Sequence, residues 1–191
     1  MVAYRPKPST PSRFLREEAA AVSVEAVLMI PVLVIFFIGF FTFFDAYRRQ
    51  STIEKASYAI ADVLSRYEGT TTVGDFDIRG LRSIFTFLTF AETRNYIRVT
   101  EIQRNGNTLD KIWSHSTDGQ PIMTDARLEG YKDQIPTLDD EERLIIVETF
   151  SIYEPPFNVG IEPRIFETFV ATKPRYATRL ICDNTIPDCP P

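Results

Sequence analysis

The sequence predicts an α+β fold in which a long N-terminal transmembrane helix continues into a small domain with an antiparallel sheet of about four strands. Three observations carry this prediction. An uncharged apolar run lies near the N-terminus, an apolar stripe with helical spacing follows it, and the rest of the chain contains β-rich segments separated by turn residues. The order of these features places one helix before a single β-containing domain.

The apolar run extends from Ala26 to Phe44 (AVLMIPVLVIFFIGFFTFF). As a helix rising about 1.5 Å per residue, it nearly covers the roughly 30 Å hydrocarbon core of a bilayer. Its fourteen Leu, Ile, Val and Phe residues favour insertion by about 4–8 kcal/mol in total. A cleaved secretory signal has a shorter apolar region, of about 7–15 residues, followed by small residues at the cut. The run therefore predicts a single-pass membrane protein.

The helix is predicted to extend beyond the membrane on both sides. Residues 1–12 contain three prolines and polar residues, which predicts a disordered tail, and the helix begins between residues 13 and 20. Pro31 lies inside the run, and membrane helices tolerate proline. After the run, apolar residues recur at spacings of three and four, with a stop at Gly69. This stripe consists of Ile53, Ala56, Ile60, Val63 or Leu64, and Tyr67.

The helix from Val22 to Tyr67 would be about 70 Å long, with its first half in lipid and its second half against a globular body. Further along, the pattern predicts a second helix and four strands, two of them joined at Asn105-Gly106 as a hairpin. The bounds are Asp75–Ala91 for the helix and Tyr96–Gln103, Thr108–His115, Arg143–Tyr153 (buried at its start) and Ile165–Thr172 for the strands. The chain thus divides into a tail (1–20), a long helix (21–67) that contains the span, and an α+β domain (68–191).

Charge favours one orientation and excludes one class of partner. The formal net charge of the chain is −5. Residues 1–44 carry four basic and three acidic residues, a net charge of +1, so the remaining residues have a net charge of −6. An acidic domain argues against nucleic-acid binding. Four basic residues precede the run and three closely follow it, which favours a cytoplasmic N-terminus and a C-terminal domain on the opposite side of the membrane.

The chain has two cysteines, Cys182 and Cys189, in the segment CDNTIPDC. In an oxidising compartment they would form a disulfide that closes a short loop, and unpaired thiols are the alternative. Two ligands do not make a structural zinc site. The sequence predicts no metal and no cofactor.

Glu25 is the most suggestive single residue. A carboxylate at the start of a membrane span is costly and is a functional candidate by default. In the alternative interpretation, Glu25 lies at headgroup depth, where the positive end of the helix dipole stabilises it.

The segment from Phe14 to Pro31 (FLREEAAAVSVEAVLMIP) resembles the N-terminus of TadE-like proteins, the pseudopilins and relatives of the tight-adherence pilus system. The shared pattern is a basic, acidic and small-residue lead, a Val-Glu pair, and an apolar run with an early proline. The resemblance covers about residues 13–60. It implies a pilin-like architecture, a bacterial inner membrane, and other pilus-assembly or pilin-like subunits as partners.

The resemblance also assigns residue roles. A prepilin peptidase would cut between Ala20 and Ala21, which makes Glu25 the fifth residue of the processed chain. That carboxylate would face the new N-terminal amine of a neighbouring subunit, so that two charges in lipid offset each other. Ala20 stands where processed members usually carry Gly, and Ala26 where they usually carry an aromatic residue. Processing and permanent anchoring therefore both stay open.

No pattern in the sequence favours an enzyme. His115 is the only histidine, and it lies beside two serines without a nucleophile-elbow sequence. Phosphate loops, dinucleotide fingerprints and metal-ligand clusters are also missing from the sequence. The acidic run 139–142 could bind a divalent cation, but it lacks an EF-hand loop, and a solvated charge cluster is favoured.

These observations predict a TadE-like membrane-anchored component of a tight-adherence pilus assembly system with a structural or scaffolding role. The alternative is a membrane-tethered periplasmic binding or sensory module that does not assemble. A membrane-anchored hydrolase is a remote third option.

Overall fold

The computed structural model describes residues 12–90 and 95–190, with side chains in the first helix described from Val22 onward. Residues 1–11 of the segment predicted to be disordered fall outside these residues, and so does Ala91, the predicted end of the second helix. The chain forms two compact units. One contains the first helix as far as Phe44 together with residues 156–161, and the other contains residues 45–155 and 162–191.

The first helix, α1 (Ser12–Ser65), confirms the predicted long N-terminal helix and continues through Pro31. It ends two residues before the predicted end at Tyr67. At this point the carbonyl of Ser65 accepts a hydrogen bond from the backbone N–H of Arg175 at 2.7 Å. Because that carbonyl is already satisfied by a distant segment, the helix gains less from another turn.

The second half of α1 packs on the globular domain as predicted. The buried members of its stripe are Ile53, Ala56, Ile60 and Leu64, whereas Val63 is exposed. Helix α2 (Asp75–Thr89) begins with a backbone N–H of Gly74 donating to the Asp77 carboxylate at 2.9 Å. Its buried side chains follow the same helical spacing and are Ile78, Leu81, Phe85 and Thr89.

Four antiparallel strands form one sheet in the order β2-β1-β3-β4. Their bounds are Asn95–Asn105 for β1, Thr108–Ser116 for β2, Arg143–Tyr153 for β3 and Arg164–Thr172 for β4. Gly106 has φ +61° in the β1–β2 turn, a conformation that glycine adopts at little cost. The predicted α+β class and four-stranded sheet are confirmed, with strand ends that differ by up to two residues.

The sheet is covered on both faces. One face packs against α1 and α2 in the main core, where the hydroxyls of Ser57 and Thr149 lie 2.6 Å apart. On the other face, the segment that contains α3 (Asp125–Gly130) packs onto β1 and β3, with Met123 and Leu128 among its buried side chains. Strand β3 is central and is buried from residue 144 to 151. The predicted burial at its start is confirmed, and the burial extends almost to the end of the strand.

Candidate functional site

The first half of α1 presents an almost continuous apolar surface. From Val22 onward the helix has the length and composition of a membrane span, and nearly all side chains between residues 22 and 44 are exposed. Thr42 is the one buried residue in that range. Contiguous apolar surface of this extent is rarely left in water. The chain therefore carries a candidate membrane anchor near its N-terminus.

Glu25 lies at the start of this apolar surface, and its side chain is exposed. Among residues 22–90 and 95–190, no ion pair involves Glu25. Ala20 and Ala21 both lie inside α1. Ala21 precedes Glu25 by four positions, about one helical turn.

Within the C-terminal segment, a disulfide between Cys182 and Cys189 closes a short loop, and the two Cα atoms lie 5.7 Å apart. Val73 pairs with this segment, because its N–H donates to the Ile181 carbonyl at 2.7 Å and its carbonyl accepts from the Asp183 N–H at 3.1 Å. Ile186, inside the disulfide loop, is buried in the main core. The disulfide thus holds a piece of the core in place.

A buried glutamate, Glu101 on β1, joins three parts of the domain. Its carboxylate accepts hydrogen bonds from the Trp113 indole N–H at 3.1 Å, the Leu180 backbone N–H at 2.8 Å and the Arg143 guanidinium at 3.2 Å. Burial raises the pKa of Glu101, and these hydrogen bonds oppose that rise. Sequence reasoning missed this group, because its donors lie up to 79 residues away.

The opposite face of the sheet contains a second buried charge cluster. Arg98 on β1 and Glu148 on β3 form a buried ion pair, and the Arg98 guanidinium also donates to the Pro121 carbonyl at 3.0 Å. The guanidinium carbons of Arg98 and Arg127 lie 5.1 and 5.9 Å from the centre of the Phe150 ring, within cation–π range. Every charge in this cluster has a partner within the domain, which is typical of a structural network.

A groove follows the outer edge of β4. Its volume is about 630 Å³, which is within the range of ligand sites. The Tyr131 hydroxyl donates to the Glu167 carboxylate at 2.6 Å, and burial together with this bond raises the pKa of Tyr131 to about 12. Edge strands carry backbone groups that can pair with another chain. The groove is lined by Glu54, Tyr58, Tyr131, Gln134, Glu167, Thr168 and Phe169.

His115 and the acidic run 139–142 both have partners within the sheet domain. The His115 Nε2 lies 2.8 Å from the Asp75 carboxylate, which links β2 to the first turn of α2. In the acidic run, Asp140 accepts from the Gly106 N–H at 2.7 Å, and Glu142 pairs with Lys173 at 2.5 Å. Within the part of the chain that the structure describes, no group of three or more His, Cys, Asp or Glu residues could hold a metal ion.

The sequence-predicted residues fall in two different compact units. Ala20, Ala21 and Glu25 belong to one compact unit, and Cys182 and Cys189 to the other. No protein-family model matches this chain, and no curated protein or solved structure has significant similarity to it. The functional interpretation therefore depends on the residues of this chain.

Proposed function

We propose that this chain is a TadE-like, membrane-anchored component of a tight-adherence pilus assembly system, with a structural or scaffolding role. In this proposal α1 inserts in a bacterial inner membrane with its N-terminus in the cytoplasm, and the sheet domain lies in the periplasm. The sequence pattern of residues 13–60 supports the proposal. A long exposed apolar helix that leads into a small antiparallel sheet domain is consistent with it.

The observation that carries the proposal is the exposed carboxylate of Glu25 at the start of the exposed apolar surface. An ionised carboxylate close to lipid gains stability from a nearby cation. A neighbouring subunit would supply that cation, and a new amine at Ala21, one helical turn from Glu25, is a suitable group if a prepilin peptidase acts on the chain. The carboxylate would then set the register between adjacent spans.

The experiment replaces Glu25 with Ala in the bacterium that carries the gene, and compares surface pili and membrane abundance of the protein. We expect Glu25→Ala to lose pili at normal abundance, because the span still inserts but no longer pairs. Glu129→Ala is the matched control, since Glu129 is an exposed glutamate of the sheet domain that pairs locally with Lys132. Normal pili and normal abundance in Glu25→Ala would contradict the proposal.

N-terminal sequencing of the protein recovered from membranes decides between the two forms of the proposal. A start at Ala21 indicates pseudopilin-type processing. An intact start, or one trimmed only within the tail, indicates a permanent anchor. Either form is compatible with a role for Glu25, so this measurement is separate from the pilus assay.

The groove along β4 favours a second candidate, a membrane-tethered binding or sensory module. Its polar rim and its volume of about 630 Å³ suit a small ligand or an extended peptide. Photo-crosslinking in intact cells from Val34 in the span and from Tyr58 in the groove separates the candidates. Protein partners trapped from Val34 favour assembly. Trapping that is restricted to Tyr58 favours the binding module.

A further inference from the structure

The connection between β3 and β4 contacts the apolar part of α1. The rings of Phe157 and Phe41 meet edge to face with their centres 6.3 Å apart. Val159 lies close to Gly39, since its Cγ1 would be 3.9 Å from a Cβ atom placed there. Residues 156–161 accordingly belong to the same compact unit as the first half of α1.

These contacts fix the depth of the loop relative to the apolar run. Gly39 and Phe41 precede Phe44, the last residue of the run, by five and three positions. At 1.5 Å per residue they lie about 4–8 Å inside the run. A segment that touches these residues from the side lies at the same depth. This is the depth at which apolar groups of interfacial segments are buried, about 5–10 Å into the boundary of headgroups and acyl chains.

The strand that leads into the loop is tied to α1 just after the apolar run. The Tyr153 hydroxyl at the end of β3 donates to the Asp45 carboxylate at 3.0 Å, and Asp45 directly follows Phe44 in the chain. The loop begins three residues after Tyr153. The strand that precedes the loop is therefore tied to the first residue after the apolar run.

The composition of the loop suits this position. The segment Pro156-Phe157-Asn158-Val159-Gly160-Ile161 has no charged residue, whereas Glu154 and Glu162 lie just outside it. Surface loops are usually polar, yet here Phe157 is 45% exposed beside an apolar helix. Irregular backbone is not tolerated in contact with the hydrocarbon core, so such a loop belongs at the interface, where water still reaches its polar groups.

We propose that residues 156–161 form a second membrane contact, with Phe157, Val159 and Ile161 inserted in the interfacial layer of the bilayer that α1 spans. The occupant of this apolar surface is lipid, because the loop already touches its own span on one side and faces outward at interfacial depth on the other. The proposal depends on α1 spanning a bilayer. It does not depend on a role in pili.

The test uses the full-length chain reconstituted in phosphatidylcholine and phosphatidylglycerol vesicles. Phe157→Cys and, separately, Asn158→Cys are labelled without reductant with an environment-sensitive nitrobenzoxadiazole dye, so that the bonded Cys182 and Cys189 do not react. Asn107→Cys, in the exposed β1–β2 turn, is the aqueous control, and Val34→Cys is the control within the span. Quenching is measured with nitroxide-labelled lipid and with aqueous iodide.

We expect blue-shifted emission at positions 157 and 158, with strong quenching by a nitroxide close to the headgroup and weak quenching by iodide. Position 107 should show the reverse pattern, and position 34 should respond to a nitroxide deep in the acyl chain. Iodide quenching at 157 and 158 as strong as at 107 would overturn the proposal. Protection from both quenchers would also overturn it, because protein would then cover the loop. If the dye at position 34 is not quenched by the deep nitroxide, the result instead contradicts the membrane span itself.

Discussion

Arg98 on β1 and Glu148 on β3 are directly opposite each other in the central strand pair, and they form an ion pair whose side chains are 1% and 0% exposed. A charge buried this completely is strongly destabilising once its partner is removed. The pair lies beneath the segment that contains α3, since Arg98 also donates to the Pro121 carbonyl. It therefore connects the sheet to the covering of its second face.

Removing one member of this pair should be strongly destabilising. We expect Glu148→Ala to lower the free energy of unfolding by about 3–5 kcal/mol, because it leaves the Arg98 guanidinium buried without its counter-charge. The double variant Arg98→Met/Glu148→Leu should recover most of this loss. Unfolding in detergent, followed by the fluorescence of the single tryptophan, measures both. A Glu148→Ala chain as stable as the wild type would show that the pair is not buried.

Two glycines predict opposite effects of the same substitution. A Cβ at Gly74 would lie 2.3 Å from the Asp183 carboxylate, and Asp183 is held in place because its backbone N–H donates to the Val73 carbonyl. A Cβ at Gly80 in α2 would meet nothing within 4 Å. Gly74→Ala should cost about 1–3 kcal/mol through overpacking. Gly80→Ala should stabilise the domain by up to about 1 kcal/mol, because alanine favours a helix interior. Thermal unfolding measures the stability of both variants. A Gly74→Ala chain that is more stable than the wild type, together with a Gly80→Ala chain that is less stable, would contradict the packing described here.

The pairing of His115 predicts a pH dependence. Burial and then the Arg79 guanidinium lower the pKa of His115 from its usual value near 6.5, while Asp183 acts in the opposite direction. The neutral ring donates its Nε2–H to Asp75. As the pH falls through about 6.5, the unfolded chain takes up a proton that the folded chain does not, so the contribution of His115 to stability declines.

The measurement compares the wild type with His115→Gln at pH 7.5 and at pH 5.5. The stability advantage of the wild type should shrink at the lower pH, and groups that titrate in both proteins, such as Glu101, cancel in this comparison. A wild-type advantage that grows on acidification would mean that the ion pair with Asp75 outweighs burial.

The disulfide should contribute measurably to stability. Closing a loop of this length, with the two cysteines seven positions apart, stabilises a fold by about 2–3 kcal/mol in the chain-entropy account. We expect Cys182→Ala/Cys189→Ala to unfold at a lower temperature than the wild type. Reductant should lower the wild type to the same temperature and leave the double variant unchanged, because the chain has no other cysteine. Equal unfolding temperatures for the oxidised wild type and the variant would contradict this contribution.

The regular elements were predictable because each has a local signal. Apolar length defines the candidate span, three-and-four spacing defines the rest of α1, and Asn105-Gly106 defines the hairpin turn. Helix α3 was not predicted, since its six residues are too few to show a period. Without α3 the sequence gives no reason to bury the second face of the sheet along the whole of β3.

The charge clusters were not predictable for a different reason. Arg98 meets Glu148 only through the register of strands that are 50 positions apart, and Glu101 meets Leu180 across 79 positions. No local sequence pattern predicts which residues of two distant strands lie opposite each other. Glu25 could be identified from sequence because the cost of a carboxylate beside an apolar run depends on its neighbours in the chain alone.

The most direct test of the account is alkaline carbonate extraction of membranes from cells that produce the full-length chain. The account predicts that the wild type stays in the membrane pellet and is released only by detergent. Val34→Arg/Ile35→Arg should be released, because two charges at the centre of the run cost about 5–7 kcal/mol, comparable to the whole insertion free energy. A wild-type protein recovered in the soluble fraction without detergent would contradict the membrane anchor and every proposal built on it.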